Sequence, residues 1–408
     1  MRFLIVTQYY WPEFFVINKL TQKLFDLGHE VTVITGKPNY PEGKIYEGYS
    51  SSGIMTESYG DVEIIRIPLR PRGRGVVNLV LNYLSFVVSG ILYIPRILKN
   101  RKFDVVLVYA PSPITSAIPA IWLNRKLKAH VAIWVQDLWP QSLKATGYIT
   151  NKFLLKIIGW LVRWIYDHVD TLLAQSHAFK MKLEEYVNEN KVIYYPNSIE
   201  SQNLSVSQPE LPQEIKDTFN LGFNIVFTGN IGNAQSIPTL LETAAKLQDT
   251  DCRFIFIGNG SLFEWAKDKV KELGLSNTVF LGRMDNNFMR SIYQLSDALI
   301  LSLTANEIFS YTIPGKLQAY LAAGRPVIAS INGEAGQIIR EAGAGLVCTA
   351  EDSKLLAQSI REFRSLSQTN RDAMGVAGKD YFNKHFNLDV MALQLVTILK
   401  ERTGVIQE

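Results

Sequence analysis

At 408 residues the chain is longer than one hydrophobic core comfortably holds, so two domains of ordinary size are expected. A hydrophobic content of 47% beside 20% charged residues excludes a disordered chain. The charge is uneven: residues 1–200 hold 23 Lys/Arg against 16 Asp/Glu, net +7, and the remainder 19 against 22, net −3, which sums to the overall +4. A basic first half suits an anionic membrane surface or an anionic acceptor. Nucleic acid fits poorly, because the chain has neither a recognition module nor a dense basic stripe.

Cys252 and Cys348 lie far apart in apolar stretches, which predicts buried thiols in a reducing compartment rather than a disulfide scaffold. The opening MRFLIVTQYYW reads as a strand entering a loop, without the features of a cleaved leader, so a cytoplasmic location is expected.

In chain order, short apolar runs at Phe3–Thr7, Val31–Thr35, Glu63–Pro68, Val105–Tyr109, Val131–Val135, Thr171–Ala174 and Lys191–Tyr195 alternate with longer periodic segments. A second series follows at Asn224–Thr228, Arg253–Ile257, Thr278–Leu281, Ala298–Leu303, Pro326–Ser330 and Gly345–Cys348. Strands alternating with helices predict an α/β fold of two Rossmann-like domains, each a mostly parallel, doubly wound sheet, with a cleft between them. The expected divisions are 1–198, a polar linker at 199–216, and a second domain at 217–378. A helix-forming stretch at about Phe382–Lys400, within a final segment 379–408, either finishes the second domain or crosses back to the first.

Two segments of the first half stand apart. Val76–Ile94 is a 19-residue uncharged run, preceded by Arg66, Arg70, Arg72 and Arg74 and followed by Arg96, Lys99, Arg101 and Lys102. It is long enough to span a membrane, but polar residues dilute it, and a buried core helix or a helix resting on the membrane fits as well. Lys152–Asp170 mixes Lys152, Lys156 and Arg163 with Phe153, Trp160, Trp164 and Tyr166, the composition of a headgroup-level helix or of one packed on the sheet.

The candidate sites fall in loops after strands. Pro314-Gly315-Lys316 opens a helix, placing unpaired N–H groups and an ammonium together as an anion site. Gly229-Asn230-Ile231-Gly232 and Gly258-Asn259-Gly260 follow strands where backbone can approach an oxygen-rich ligand. Neither is a dinucleotide fingerprint or a Walker loop. Arg283 could neutralise a pyrophosphate, and Glu334 could accept from sugar hydroxyls. In the first half, Asp137, beside Trp139, could orient an acceptor hydroxyl or act as a base, or simply cap a helix. Glu13 lies in the first βα loop, and His177 follows Gln175-Ser176, touching a ligand or only opening a helix. No metal-ligand spacing and no nucleophile elbow is present.

The blocks Gln8-Tyr9-Tyr10-Trp11-Pro12-Glu13, Gly28-His29-Glu30-Val31-Thr32-Val33, Pro38-Asn39-Tyr40-Pro41, Val135-Gln136-Asp137-Leu138-Trp139-Pro140, Tyr195-Pro196-Asn197, Gly229-Asn230-Ile231-Gly232, Pro314-Gly315-Lys316-Leu317 and Ala322-Ala323-Gly324-Arg325-Pro326-Val327 resemble the family 4 retaining glycosyltransferases. The likeness is to the subgroup of bacterial surface-polysaccharide enzymes that includes N-acetyl-L-fucosamine and colanic-acid transferases. It implies a GT-B fold with a nucleotide-sugar, UDP-linked by expectation, in the second domain. It implies an acceptor linked to polyprenyl diphosphate in the first, a returning C-terminal helix, no metal or other cofactor, and a peripheral place on the inner face of the bacterial plasma membrane. Four departures stand out. The family's paired glutamates match Tyr311 and Ala319, its donor-phosphate Arg and Lys match Asn230 and Gln235, and its His before Asp matches Gln136, while its first-loop glycine pair matches Phe14-Phe15. Lys316 and Arg283 are then the available cations. A non-hydrolysing sugar-nucleotide epimerase and a catalytically silent binding protein on the same plan remain alternatives.

Overall fold

The structure is a computed structural model that describes residues 1–145, 149–201 and 209–404. The chain divides into two compact units, Met1–Asn197 joined by the segment from Leu388, and Ser198–Asn387.

The first unit is built on eight strands: β1 (Arg2–Val6), β2 (Glu30–Thr35), β3 (Met55–Tyr59), β4 (Val62–Arg66), β5 (Val105–Ala110), β6 (His130–Val135), β7 (Thr171–Ala174) and β8 (Val192–Tyr194). Their spatial order is β3-β4-β2-β1-β5-β6-β7-β8. All neighbours are parallel except β3 and β4, which are antiparallel. The central β5, VVLVYA, is buried at every position, as a strand covered on both faces must be. β3 was not foreseen from the sequence: MTESY alternates half-buried and exposed residues, so it carries no apolar run and survives only as an edge strand beside β4.

The second unit carries β9 (Phe223–Thr228), β10 (Cys252–Ile257), β11 (Thr278–Gly282), β12 (Ala298–Ser302), β13 (Val327–Ser330) and β14 (Gly345–Cys348). They pair in parallel in the order β11-β10-β9-β12-β13-β14. Cys252 and Cys348 are buried free thiols in β10 and β14. Each sheet is therefore wound outwards in two directions, with its switch point between β1 and β5 in the first unit and between β9 and β12 in the second. Ligands of such sheets bind at the carboxyl ends of the strands beside that point.

Two expected boundaries shift. Helix Gln213–Phe219 begins inside the expected linker, and Leu211 and Phe219 are buried in the second core, so residues from 211 onward pack as domain; residues 202–208 lie outside the described residues. The C-terminal changeover also comes later than residue 378. Helix Gln368–His385 packs on helix Gly315–Ala322, with Gly375 lying so close to Gly324 that a Cβ would sit 2.3 Å from the Gly324 carbonyl oxygen. The chain then breaks at Phe386-Asn387, and helix Leu388–Thr403 buries Leu388, Met391, Ala392, Leu395 and Leu399 in the first core. Each large side chain so buried contributes about 1.5–3 kcal/mol. Tyr195 fastens this helix by donating its hydroxyl to the Met391 carbonyl at 3.0 Å.

Helix Val76–Ile97 buries Asn82, Phe86, Gly90 and Ile94, four residues apart and so along one side. Gly90 lets it approach helix Ala117–Leu127, where a Cβ would meet Pro119 at 2.6 Å. Its other side leaves Val77, Val80, Leu81, Leu84, Val88 and Leu92 exposed. The helix is long and apolar enough to cross a membrane, yet β4 before it and β5 after it belong to one sheet. Helix Lys152–Asp167 is started by Asn151, whose side chain accepts from the Phe153 and Leu154 amides. It buries Val162, Ile165 and Tyr166 and exposes Phe153, Ile157, Trp160 and Trp164, with Trp160 80% accessible.

Candidate active site

In the second unit the turn after β9 and the start of helix Gly315–Ala322 flank the switch point. Thr228, the last residue of β9, donates its amide to the Tyr320 hydroxyl at 3.0 Å, and its own hydroxyl lies 3.2 Å from those of Tyr320 and Tyr293. The helix is thus bolted to the strand end, which fixes Lys316 in its first turn. A Cβ placed on Gly229, whose φ is +111°, would come within 3.2 Å of the Lys316 Cε. Glycine here is what lets the lysine stem lie across the turn. Lys316 Nζ sits 3.7 Å from the centre of the Phe227 ring and is buried without a hydrogen-bond partner. Burial lowers its pKa to about 7, because no carboxylate compensates the lost hydration.

Gly315, by contrast, faces open space: nothing lies within 4 Å of a Cβ built on it. The first turn of this helix is therefore open to a ligand, with free N–H groups in front and a buried ammonium behind. Gly258 and Gly260 have a different reason to be glycine. A Cβ on Gly258 would sit 1.8 Å from the Gly229 carbonyl oxygen, and one on Gly260 2.3 Å from that of Ile231. The turns after β9 and β10 are clamped together, with the Ile231 amide donating to the Asn259 carbonyl at 2.9 Å. Asn230 and Gln235 meet each other side chain to side chain at 3.1 Å, above Gly232. Pro314 is the residue before the helix. Glu334 is buried in the first turn of helix Glu334–Glu341, after β13. Arg283 is exposed beyond β11, the edge strand, with β10 and β9 between it and the switch point.

In the first unit, Tyr9 after β1, Pro111 and Ser112 after β5, and Asp137 after β6 line one cavity of about 590 Å³. It is walled by Leu79, Tyr83 and Leu84 from helix Val76–Ile97 and by Leu154 and Ile158 from helix Lys152–Asp167. Asp137 accepts from Trp139 Nε1 at 3.2 Å. Burial pushes its carboxyl above the ordinary aspartate range, against the lowering effect of hydrogen bonds from Ser142, Trp139 and the Leu138 amide. Trp139 shares the wall. Arg72 stands at the same cavity, its guanidinium 5.3 Å from the Tyr40 ring centre.

Glu13 is placed differently. It is 2% exposed, and its oxygens accept from the amides of Asn39 and Tyr40 at 2.7 Å each and of Tyr10 at 3.2 Å. It ties the first βα loop to the loop after β2, and burial still pushes its carboxyl up to about 7. His177 opens helix His177–Glu184 behind the cap Ser176, whose hydroxyl accepts from the Phe179 amide. Its ring stacks on Tyr194 at 3.9 Å. Tyr9, Tyr40 and Arg72 were not singled out from the sequence as site residues, though Tyr9 and Tyr40 stand in two of the blocks that carry the family likeness.

Two doubly wound sheets, each in its own unit, make a two-domain GT-B fold. The fold matches a solved trehalose-6-phosphate protein from E. coli bound with UDP-2-fluoro glucose, with TM-score 0.73 at 11% identity over 98% of this chain and 99% of that one. Residues 15–203 match the model of Glycosyltransferase Family 4, and residues 222–365 that of Glycosyl transferases group 1. The chain carries this family-4 and group-1 combination and resembles bacterial surface-polysaccharide glycosyltransferases. It is 24% identical over 386 residues to the colanic acid biosynthesis glycosyl transferase named WcaI of Escherichia coli (strain K12), covering 91% of this chain and 94% of the relative. It is also 24% identical over 216 residues, 52% of this chain and 54% of the relative, to N-acetylgalactosamine-N,N'-diacetylbacillosaminyl-diphospho-undecaprenol 4-alpha-N-acetylgalactosaminyltransferase of Campylobacter jejuni.

Proposed function

We propose that this protein is a retaining, metal-independent glycosyltransferase of bacterial surface-polysaccharide synthesis. It moves a deoxy- or N-acetylamino hexose, N-acetyl-L-fucosamine being one such sugar, from a UDP-sugar to a saccharide on a polyprenyl diphosphate. The observation that carries the reading is Lys316 Nζ, buried and unpartnered against Gly229 at the switch point of the second sheet. The diphosphate of the donor supplies the anion this cation lacks. The open first turn at Gly315 offers its amides to the same oxygens.

Transfer forms a bond from the acceptor hydroxyl oxygen to the anomeric carbon as the bond from that carbon to the diphosphate oxygen breaks. The hydroxyl proton passes to the departing diphosphate. Lys316 and the open amides at Gly315 stabilise the charge growing there. Asp137 accepts from and orients the acceptor hydroxyl, while Glu13 ties together the two loops bearing Tyr9 and Tyr40. Glu334 accepts from a sugar hydroxyl of the donor. Arg283, exposed on the edge strand, contributes long-range attraction for the anionic donor.

The exposed apolar faces of helices Val76–Ile97 and Lys152–Asp167, bordered by Arg70, Arg74, Lys152 and Lys156, rest on the inner leaflet, where basic residues meet anionic headgroups. The names of the relatives and the UDP-sugar bound in the similar fold support the donor and acceptor classes.

Thermal unfolding with UDP, GDP, dTDP and CMP and their sugar conjugates tests the donor. A stabilisation confined to the uridine compounds is expected, and one confined to GDP would replace the donor. Incubation of a stabilising UDP-sugar with and without a polyprenyl-diphosphate saccharide then separates the readings. Sugar isomerisation without acceptor is the epimerase outcome, and binding without UDP release in either case is the silent-protein outcome. The anomeric coupling constant of the product by NMR reads retention.

A further inference from the structure

The cavity of about 590 Å³ on the first unit is large for a site that only has to orient one hydroxyl, and its walls are the wrong chemistry for a saccharide. Sugar sites need convergent hydrogen-bonding groups. Here the walls are predominantly aliphatic and aromatic, with Leu79, Tyr83, Leu143 and Ile158 among them. Its rim is also unusual. Val76, Val80, Leu84 and Leu154 line the cavity and are at the same time 43–52% exposed. The cavity wall and the outer apolar faces of the two helices are therefore one continuous surface, and an apolar ligand can pass from outside to inside without crossing a polar rim. Beside the hydroxyls of Ser112, Thr115 and Ser142, its charged lining residues are two, Arg72 and Asp137, both in loops that follow strands.

We propose that this cavity binds the hydrocarbon chain of a single-chain lipid phosphate, the chain proximal to the acceptor's own diphosphate, with Arg72 meeting the phosphate and the reacting saccharide carried towards Asp137. The inference rests on the acceptor class proposed above and adds to it a place for the lipid. The occupant follows from three features. Continuity with an exposed apolar face calls for a ligand delivered from a membrane. A volume in the range of single small-ligand pockets suits one chain segment rather than the paired chains of a bilayer phospholipid. A cation at the end of an apolar slot calls for an anionic head. Drawing the first part of the chain out of the bilayer lets the enzyme hold the saccharide at a fixed height above the membrane and select acceptors by their lipid as well as their sugar.

Calorimetric titration of the full-length protein with farnesyl diphosphate, below its aggregation range, tests this without requiring turnover. One equivalent is expected to bind, at least tenfold more weakly to Leu79→Trp, which fills the cavity, and to Leu84→Glu, which places a carboxylate at its rim. Trp160→Ser lies on the outer face and outside the cavity; it is expected to weaken binding to phosphatidylglycerol vesicles and leave farnesyl diphosphate affinity within twofold. Unchanged thermal unfolding of the variants shows that they fold. The proposal is overturned if farnesyl diphosphate does not bind, if the two cavity variants bind it as the wild type does, or if dihexanoyl phosphatidylglycerol displaces it at equal concentration. A failure of the acceptor reading looks different: farnesyl diphosphate binds and the variants discriminate, but no polyprenyl-diphosphate saccharide is glycosylated.

Discussion

Lys316→Met separates the cost of the buried ammonium from its use. With a pKa of about 7 in the folded protein against about 10.4 in an unfolded chain, the unfolded state binds the proton more tightly. Wherever the unfolded state holds more protons, stability rises with pH. Lys316 therefore lowers stability most at and below pH 7, and this cost disappears as pH climbs towards 10.4. The slope approaches about 1.4 kcal/mol per pH unit inside the window, or about 2 kcal/mol between pH 7.5 and 9. Methionine conserves the stem against Phe227 and cannot titrate, so the same comparison removes every other group. In urea unfolding without ligand, the wild type should gain about 2 kcal/mol on the variant over that interval. UDP reverses the preference. Its diphosphate favours the protonated lysine, so wild-type affinity should fall as pH rises from 7 to 9, while Lys316→Met binds UDP weakly and without that dependence. Parallel stabilities of the two proteins from pH 7.5 to 9, within about 0.5 kcal/mol, would refute both the buried cation and the role built on it.

Tyr320→Phe removes the hydroxyl that receives the Thr228 amide and should cost about 1–3 kcal/mol in thermal or urea unfolding, with a loss of UDP affinity because the helix bearing Lys316 is no longer fixed to β9. Glu13→Gln should be about 1–3 kcal/mol less stable than wild type at pH 5, since its amide nitrogen must face one of three N–H donors. That gap should narrow by pH 7.5: the folded pKa of Glu13 is raised, so its contribution to wild-type stability is full below about pH 4.5 and is lost as pH rises through 7. Asp137→Asn should leave UDP binding intact and lower transfer about 10²–10⁴-fold, measured as UDP release with acceptor present. Leu395→Ala, in the helix that returns to the first core, should cost about 2–5 kcal/mol by urea unfolding.

The double winding could be read from the sequence because buried parallel strands are plain apolar runs, and thirteen of the fourteen strands among the described residues announce themselves in that way. β3 does not, since an edge strand with one wet face has no reason to be apolar. The changeover at Asn387-Leu388 was also hidden. Helix Gln368–His385 and helix Leu388–Thr403 are both helix-forming, and what assigns them to different cores is three-dimensional: the close approach of Gly375 to Gly324 on one side and Leu388 to Leu399 entering the first core on the other. At the candidate site, Lys316 could be found because a helix start after Pro-Gly is a local signal. Tyr320 could not, as its function is to hold a strand ninety-two residues earlier, and a tyrosine inside an apolar helix face looks like core. Arg72 likewise reads as one of four similar arginines until the fold places it at the cavity and leaves Arg74 on the surface.

One departure from the wider family's pattern becomes intelligible once Lys316 is seen to be buried. Where that pattern has an arginine and a lysine beside the turn after β9, this chain has Asn230 and Gln235, two neutral amides that contact each other. Lys316 lies instead beneath the turn, in the gap that Gly229 leaves, and on the proposed reading it supplies the positive charge. A cation in that position has no carboxylate to balance it and must be tolerable while the site is empty. An arginine cannot shed its proton and would remain a buried charge in the free protein. A lysine can, and with a pKa of about 7 it is close to half neutral when no anion is present. Lys316→Arg is then not a conservative change. It should destabilise the ligand-free protein below pH 9 more than Lys316→Met does, and it should fail to restore transfer, because its planar fork cannot fit between Phe227 and Gly229. On the proposed reading, the pairing of a small residue above with a titratable cation below keeps the charge of this site in reserve until the diphosphate arrives.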